Sequence, residues 1–104
     1  MSQPVVLIVE LWIAPERRAE FENFEAAAAE IMASHGGRIE RRLAMRQEAV
    51  ANPPDEVHIV TFASREAYES YRGDPALVPL AEQRARAIQR TVIREGADMP
   101  PFGA

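Results

Sequence analysis

Two titratable side chains stand at otherwise apolar positions, where an acid–base site could form. His58 lies inside the apolar segment 57–60, and Glu10 is the one carboxylate in the apolar run 5–13. If the two share a face, the carboxylate would hold the pKa of the histidine near neutrality, where an imidazole works as a general base. His58 and Glu10 are therefore the predicted catalytic residues.

Both residues also have a structural explanation. A lone histidine in a strand can be a hydrogen-bonded structural or interface residue, and a buried carboxylate can pair with an arginine. The arginines that could pair with Glu10 are Arg41, Arg42 and Arg90. Spacing alone does not decide between these explanations and catalysis.

Four aromatic side chains could line a binding pocket, namely Trp12, Phe62, Tyr68 and Tyr71. A planar organic molecule would bind among such rings, with a tyrosine hydroxyl or the indole N–H orienting its oxygens. The same residues could instead be ordinary core residues. The sequence predicts a pocket bordered by Trp12, His58 and one of the two tyrosines.

No pattern in the sequence indicates a metal or a cofactor. His35 falls in the last turn of a predicted helix, where an imidazolium interacts well with the helix dipole, so we expect it to cap that helix. A metal site made of His35, His58 and Glu10 would require three elements to converge, and their spacing does not support it. The glycines are too few and too scattered to form a phosphate-binding loop.

Length and composition restrict the class of protein. The chain has 104 residues, no cysteine, and 12 basic residues, all arginine, against 16 acidic ones, for a net charge of −4. A single domain of this size buries only a small hydrophobic core, and a second subunit would increase the buried area. The net negative charge argues against nucleic-acid binding, and no apolar run is long enough to span a membrane. The absence of cysteine favours a cytoplasmic protein.

The hydrophobic pattern predicts the order strand, helix, strand, strand, helix, strand. The first strand is apolar on both faces and is expected at the centre of a sheet. The second carries charges typical of an edge strand, with Ile39, Leu43 and Met45 on the same side as Arg41. The apolar stripe of the first helix is Phe21, Phe24, Ala28 and Ile31. The predicted strands cover 5–13, 38–47, 56–63 and 87–95. The first predicted helix covers 15–34, a second helix is capped by Ser64, and a further helical segment begins at Asp74.

This order predicts an α+β, ferredoxin-like βαββαβ fold, in which a four-stranded antiparallel sheet carries its helices on one face. Residues 1–95 would form the domain and residues 96–104 a C-terminal tail. The other face of the sheet would expose a large apolar area, so we expect a second copy of the chain to cover it. The even-numbered face of the first strand, with Ile8, Glu10 and Trp12, is the favoured dimer side, because Glu10 tolerates a wet cavity better than a dry helix interface.

Several segments carry a resemblance to a known family: 15–24, 35–38, 62–71 and 74–75. They resemble small dimeric α/β-barrel proteins, in particular the uncharacterised, domain-of-unknown-function relatives of the antibiotic-biosynthesis monooxygenases. The resemblance implies a homodimer whose sheets pack face to face, with a pocket between sheet and helices in each subunit. It also implies oxidation without metal or flavin, with aromatic, Asn and His residues positioning the substrate. The two asparagines here, Asn23 and Asn52, fall on an exposed helix face and in a turn, which departs from that pattern.

Three functions from different classes fit these observations. The first is a homodimeric α/β-barrel protein that binds a small organic molecule, with no assigned catalysis. The alternative is a cofactor-independent monooxygenase or isomerase that acts on an aromatic or lactone-like metabolite. The third is a ligand-sensing or assembly module for another protein. Because one fold serves all three, the site must decide.

Overall fold

In the computed structural model, which describes residues 3–48 and 51–103, one sheet carries helices on one face. The predicted domain 1–95 and tail 96–104 also include residues 1, 2, 49, 50 and 104, which lie outside the described residues. In chain order the elements are β1 (Val5–Ile13), α1 (Arg18–Ser34), β2 (Arg38–Ala44), β3 (Glu56–Phe62), α2 (Arg65–Arg72), a 3-10 helix (Pro75–Leu80), α3 (Ala81–Ala87) and β4 (Ile88–Gly96).

The apolar strand β1 lies in the middle of the sheet, whose strand order is β2-β3-β1-β4 with every pair antiparallel. The ferredoxin-like fold class and the central position of β1 are thus confirmed. Odd-numbered residues of β1, such as Leu7 and Leu11, are buried against the helices. Even-numbered residues, such as Ile8 and Glu10, therefore lie on the face that no helix covers.

Helix α1 begins at Arg18 rather than at Pro15. Glu16 has a φ of 63°, in the left-handed region, so the segment before Arg18 forms a turn and cannot continue a right-handed helix. The buried stripe of α1 is Phe21, Phe24, Ala28 and Met32. Met32 takes the place predicted for Ile31, which is only half-buried.

Strand β2 contains a bulge that the sequence did not indicate. Its register shifts between Ile39 and Arg41, so that Ile39 faces the helices whereas Arg41 and Leu43 face the open side. The expected common side for Ile39, Arg41, Leu43 and Met45 is therefore wrong, and β2 ends at Ala44, before Met45. Because of the bulge, Arg42 lies opposite His58, on the helix side.

Two core clusters pack between the sheet and the helices. One joins α2 to the start of β1 and contains Phe62, Tyr68 and Met32. The other joins α1 and α3 to the end of β1 and contains Phe21 and Ile88. Ser64 caps α2 as predicted, accepting a hydrogen bond from the Ala67 N–H at 3.1 Å, and the 3-10 helix crosses from α2 to α3. Within the described residues, no helix is long and apolar enough to cross a membrane.

Candidate functional site

His58 is buried under the helices, on the face of the sheet opposite to Glu10. It is 2% exposed, and its ring centroid lies 6.3 Å from that of Phe21 in α1. In the pairing of β1 with β3, His58 stands opposite Val9, whereas Glu10 stands opposite Val57. Because successive side chains alternate between faces, His58 and Glu10 do not meet, and the predicted His58–Glu10 pair is wrong.

His58 pairs instead with Glu56, which lies two residues earlier on the same face of β3. Nε2 of His58 lies 2.8 Å from Oε1 of Glu56. Glu56 is 4% exposed and also accepts hydrogen bonds from Arg18 and from Nε of Arg42, the latter at 3.1 Å. Burial alone would raise the pKa of Glu56, but the bonds from His58, Arg18 and Arg42 outweigh burial and hold that pKa below its ordinary value. Glu56 is therefore an ionised hydrogen-bond acceptor, and it favours a proton on Nε2 of His58.

Glu25 of α1 approaches the other ring nitrogen. Its Oε1 lies 3.5 Å from Nδ1 of His58. Burial raises the pKa of Glu25, and the charge of Glu56 adds to the rise, whereas His58 and the nearby Arg42 partly oppose it. His58 is thus held between a carboxylate that stays ionised and a carboxylate that takes up a proton more readily than an exposed glutamate does.

Glu25 is a site residue that the sequence prediction missed. It belongs to the many glutamates of α1, most of which face solvent or form surface ion pairs. The signal in the sequence is its spacing: Glu25 follows Phe21 by four residues and precedes Ala28 by three, which places it at the edge of the buried stripe.

A cavity of about 310 Å³ lies between the sheet and the helices, and Glu25 and His58 are part of its wall. Most of the wall is apolar. Phe62 contributes one aromatic ring, and its centroid lies 5.3 Å from that of Tyr68 and 5.5 Å from that of Tyr71. Burial, with a contribution from Glu25, raises the pKa of Tyr71. The structure thus brings together four of the six predicted site residues.

Trp12 does not belong to this cavity. It lies on the helix-free face of β1, where its Nε1 donates a hydrogen bond to the backbone oxygen of Asn52 at 3.0 Å. The guanidinium carbon of Arg90 lies 4.6 Å from the centre of its ring. The predicted pocket with Trp12 beside His58 is therefore wrong, because an even-numbered residue of β1 faces away from the helices.

Glu10 and His35 also lie apart from the cavity. Glu10 is half-buried on the helix-free face and forms no ion pair with any described residue. His35 ends α1 as expected, and its Nε2 lies 2.7 Å from Oδ2 of Asp74, which joins the helix end to the start of the 3-10 helix. Among residues 3–48 and 51–103, no group of three or more acidic or histidine side chains could hold a metal ion.

The cavity is open to solvent at the exposed residues of its wall. These residues are Arg72 at the end of α2, Arg84 in α3 and Ile93 on β4. Nη2 of Arg84 donates a hydrogen bond to Oγ1 of Thr91 at 3.0 Å, across the gap between α3 and β4. These residues form the cavity mouth, so a ligand entering there would meet cationic groups first and the Glu25–His58 pair further in.

The comparisons with known proteins agree with this fold. The model of a family described as Domain of unknown function (DUF1330) matches residues 6–97. None of the curated proteins matches the sequence. A protein of unknown function from Rhodopseudomonas palustris is similar in structure, with a TM-score of 0.81 and 12% identity over 97% of this chain and 86% of that chain.

Two further solved structures are similar. SnoaB, a cofactor-independent oxygenase from Streptomyces nogalater, has a TM-score of 0.73 and 16% identity over 99% of this chain and 100% of its own. A protein named as a candidate antibiotic biosynthesis monooxygenase from Nitrosomonas europaea has a TM-score of 0.73 and 13% identity, over 99% of this chain and 97% of that chain. The resemblance stated from the sequence is confirmed, and at these identities the likeness concerns the fold alone.

Proposed function

The chain belongs to the family described as a domain of unknown function (DUF1330), and we propose that it is a homodimeric protein that binds a small organic molecule in the cavity between sheet and helices. One observation carries this proposal: an apolar cavity of about 310 Å³ has a few polar side chains converging in its wall. Ligand sites in proteins have this size and character. The absence of cysteine supports a cytoplasmic location for the protein.

A cavity-filling variant tests the binding proposal. Ala28 of α1 is 2% exposed and lies in the cavity wall, so Ala28→Leu places a larger side chain in the ligand space. Ala26→Leu on the exposed side of the same helix is the matched control. In a thermal-shift screen of aromatic and quinone-like metabolites, a ligand should stabilise the wild type and Ala26→Leu but not Ala28→Leu. Equal stabilisation of all three proteins, or no stabilising compound, would contradict the proposal.

The helix-free face supports the homodimer. Its central residues are apolar, including Ile8, which pairs with Ile59 of β3. Glu10 has no cationic partner in its own chain among the described residues, and Arg90 and Arg94 flank its neighbour on β4 without ion pairs. In a two-fold dimer each surface meets itself, so the unpaired carboxylate of one copy can meet unpaired arginines of the other. A second copy would therefore cover the apolar surface of this face and also provide ion-pair partners for Glu10 and the arginines of β4.

A second candidate function is that of a cofactor-independent monooxygenase or isomerase acting on an aromatic or lactone-like molecule. The observation that favours it is the row of Glu25, His58 and Glu56, with two of the three in the cavity wall. With Glu56 ionised and the proton of His58 on Nε2, the Nδ1 atom and the Glu25 carboxylate form a base beside the cavity. A proton from an acidic C–H or O–H of the bound molecule would pass to this base, and Glu56 would stabilise the imidazolium if it forms.

The fate of the deprotonated molecule distinguishes the two reactions. Return of the proton to another carbon isomerises the molecule without oxidation. Transfer of its electrons to molecular oxygen oxidises the molecule and leads to an oxygenated product. Both reactions share the first proton transfer, which is the step that the described residues support.

Exchange of a ligand proton for deuterium in heavy water, followed by NMR, tests that shared step. Glu25→Gln and His58→Gln should slow exchange by about 100-fold, which is a typical contribution of general-base catalysis. Glu30→Gln, at an exposed position of the same helix, is the control and should exchange at the wild-type rate. Unchanged exchange in both site variants would contradict the catalytic role, and oxygen consumption separates the oxygenase from the isomerase.

A further inference from the structure

We propose that the molecule bound in the cavity is a small organic acid, whose carboxylate lies between Arg72 and Arg84 at the mouth and whose apolar body extends inward to the Glu25–His58 pair. This inference rests on the proposed function, because it assigns a chemical class to the ligand of the same cavity. It concerns the charge and the direction in which that ligand binds.

Arg72 and Arg84 form no ion pair within the described part of the chain, although Arg84 is near enough to Glu25 to oppose the rise in the pKa of that carboxyl. The protein has 16 acidic residues against 12 arginines, so most arginines find a carboxylate. Neither Arg72 nor Arg84 has a carboxylate oxygen within the 4.0 Å of an ion pair among the described residues. The arginines with ion pairs are Arg17, Arg18, Arg38, Arg42, Arg46, Arg65 and Arg86.

Both guanidinium groups are nevertheless held in place by neutral contacts. Arg84 donates from Nη2 to the Thr91 hydroxyl at 3.0 Å, and the guanidinium carbon of Arg72 lies 5.4 Å from the ring centre of Tyr68. These contacts orient the side chains without cancelling their charge, and they leave most of the N–H donors available. A carboxylate at the mouth would accept charge-assisted hydrogen bonds from these donors.

The interior of the cavity excludes the same charge. Beyond the mouth the wall is mostly apolar. The acidic group in this wall is Glu25, and the ionised Glu56 lies at the other ring nitrogen of His58. A ligand carboxylate placed there would lose its hydration and be repelled by Glu56. The favourable arrangement therefore has the carboxylate outward and the apolar body inward, with any acidic proton of that body next to Glu25 and His58.

Three probes with one naphthalene body and different polar groups test the inference: a naphthalene carboxylate, its carboxamide and the corresponding methylamine. Binding to the wild type would be measured by calorimetry. We expect the carboxylate to bind about tenfold more tightly than the carboxamide, as one hydrogen bond to a charged group implies. Arg84→Gln and Arg72→Gln should each remove most of that advantage and weaken carboxamide binding much less, because a neutral amide oxygen forms a weaker hydrogen bond with a guanidinium. Arg46→Gln is the control, because Arg46 is highly exposed, pairs with Glu48 and is not in the cavity wall.

The outcomes separate the two proposals. Equal binding of carboxylate and carboxamide, or tightest binding of the amine, would overturn the inference and leave binding in the cavity intact. A carboxylate preference that persists in both arginine variants would also overturn it, because the anion would then bind elsewhere. If none of the probes binds, including the neutral carboxamide, and the metabolite screen also finds nothing, the proposed function itself fails.

Discussion

The same substitution on either side of His58 should affect stability differently. Glu56→Gln removes a buried charge that accepts hydrogen bonds from His58, Arg18 and Arg42. Glu25→Gln removes a group whose charged form is disfavoured by burial. We therefore expect Glu56→Gln to destabilise the fold at neutral pH, and Glu25→Gln to be neutral or stabilising.

The structure sets the size of the Glu56 effect. Removal of one partner from a buried ion pair typically costs about 3–5 kcal/mol. The arginine partners of Glu56 are half-exposed, with 55% and 46% of their side-chain surface accessible, and both also contact Glu22. Solvent and Glu22 would partly compensate for the lost charge, so we expect a loss of about 2 kcal/mol in the free energy of unfolding.

The pH dependence of the two variants should also differ in sign. The pKa of Glu56 is lowered by folding, so its stabilisation is present at neutral pH and is lost as the pH falls through its folded-state pKa. The pKa of Glu25 is raised, so the wild type loses stability relative to Glu25→Gln as the pH rises through that pKa. The deficit of Glu56→Gln should thus shrink in acid, whereas the relative gain of Glu25→Gln should grow as the pH rises from the ordinary glutamate pKa through the raised pKa of Glu25 and then level off.

Urea unfolding followed by circular dichroism measures both effects, at one protein concentration because the stability of the proposed dimer would depend on concentration. A loss of about 2 kcal/mol lowers the midpoint by about 1 M for a domain of this size. Glu40→Gln, in the exposed pair with Arg38, is the control and should change stability by less than about 0.5 kcal/mol. A Glu56→Gln effect no larger than this control, or an equal loss in Glu25→Gln at neutral pH, would refute the reasoning.

Two further predictions concern the proposed dimer and the core. Ile8→Glu should raise the dimer dissociation constant by at least about 100-fold, because each copy would bury an unpaired charge. Ala33→Glu, at an exposed site in α1, is the control and should leave the dissociation constant unchanged. Light scattering over a dilution series measures the dissociation constant. Gly37→Ala should lower the free energy of unfolding, measured in urea, by about 2 kcal/mol, because the added Cβ would lie 2.6 Å from Cγ of Met32. Gly96→Ala is the control, because open space surrounds Gly96, and it should leave the free energy of unfolding unchanged. A wild-type dimer for Ile8→Glu or equal glycine effects would contradict them.

Much of the fold could be predicted from the sequence because the relevant signals are local. The apolar pattern on both faces of β1 indicates a central strand whatever the rest of the chain does, and Ser64 indicates a helix cap from its own position. The element order then leaves few possible topologies. Errors occurred at boundaries, as at Glu16, where a left-handed residue delays α1 until Arg18.

The composition of the site could be predicted only in part. Buried aromatic residues and a strand histidine stand out in the sequence, and His58, Phe62, Tyr68 and Tyr71 do line one cavity. Glu10 and Trp12 stand out for the same reasons but lie on the other face. Glu10 indicated that the even-numbered face of β1 lies away from the helices, as the structure has it. No signal in the sequence indicated the register of β3 against β1, so the side of the sheet that His58 occupies relative to Glu10 could not be assigned.

By itself, the sequence determined which residues alternate along each strand and which repeat along each helix, because these periods follow from backbone geometry. Tertiary structure decided which of those faces meet. The β1–β3 register placed His58 on the side away from Glu10, the bulge in β2 turned Arg42 toward Glu56, and the packing of α1 on the sheet brought Glu25 to Nδ1 of His58. The Glu25–His58–Glu56 row depends on contacts between residues distant in the chain, and no local pattern records such contacts.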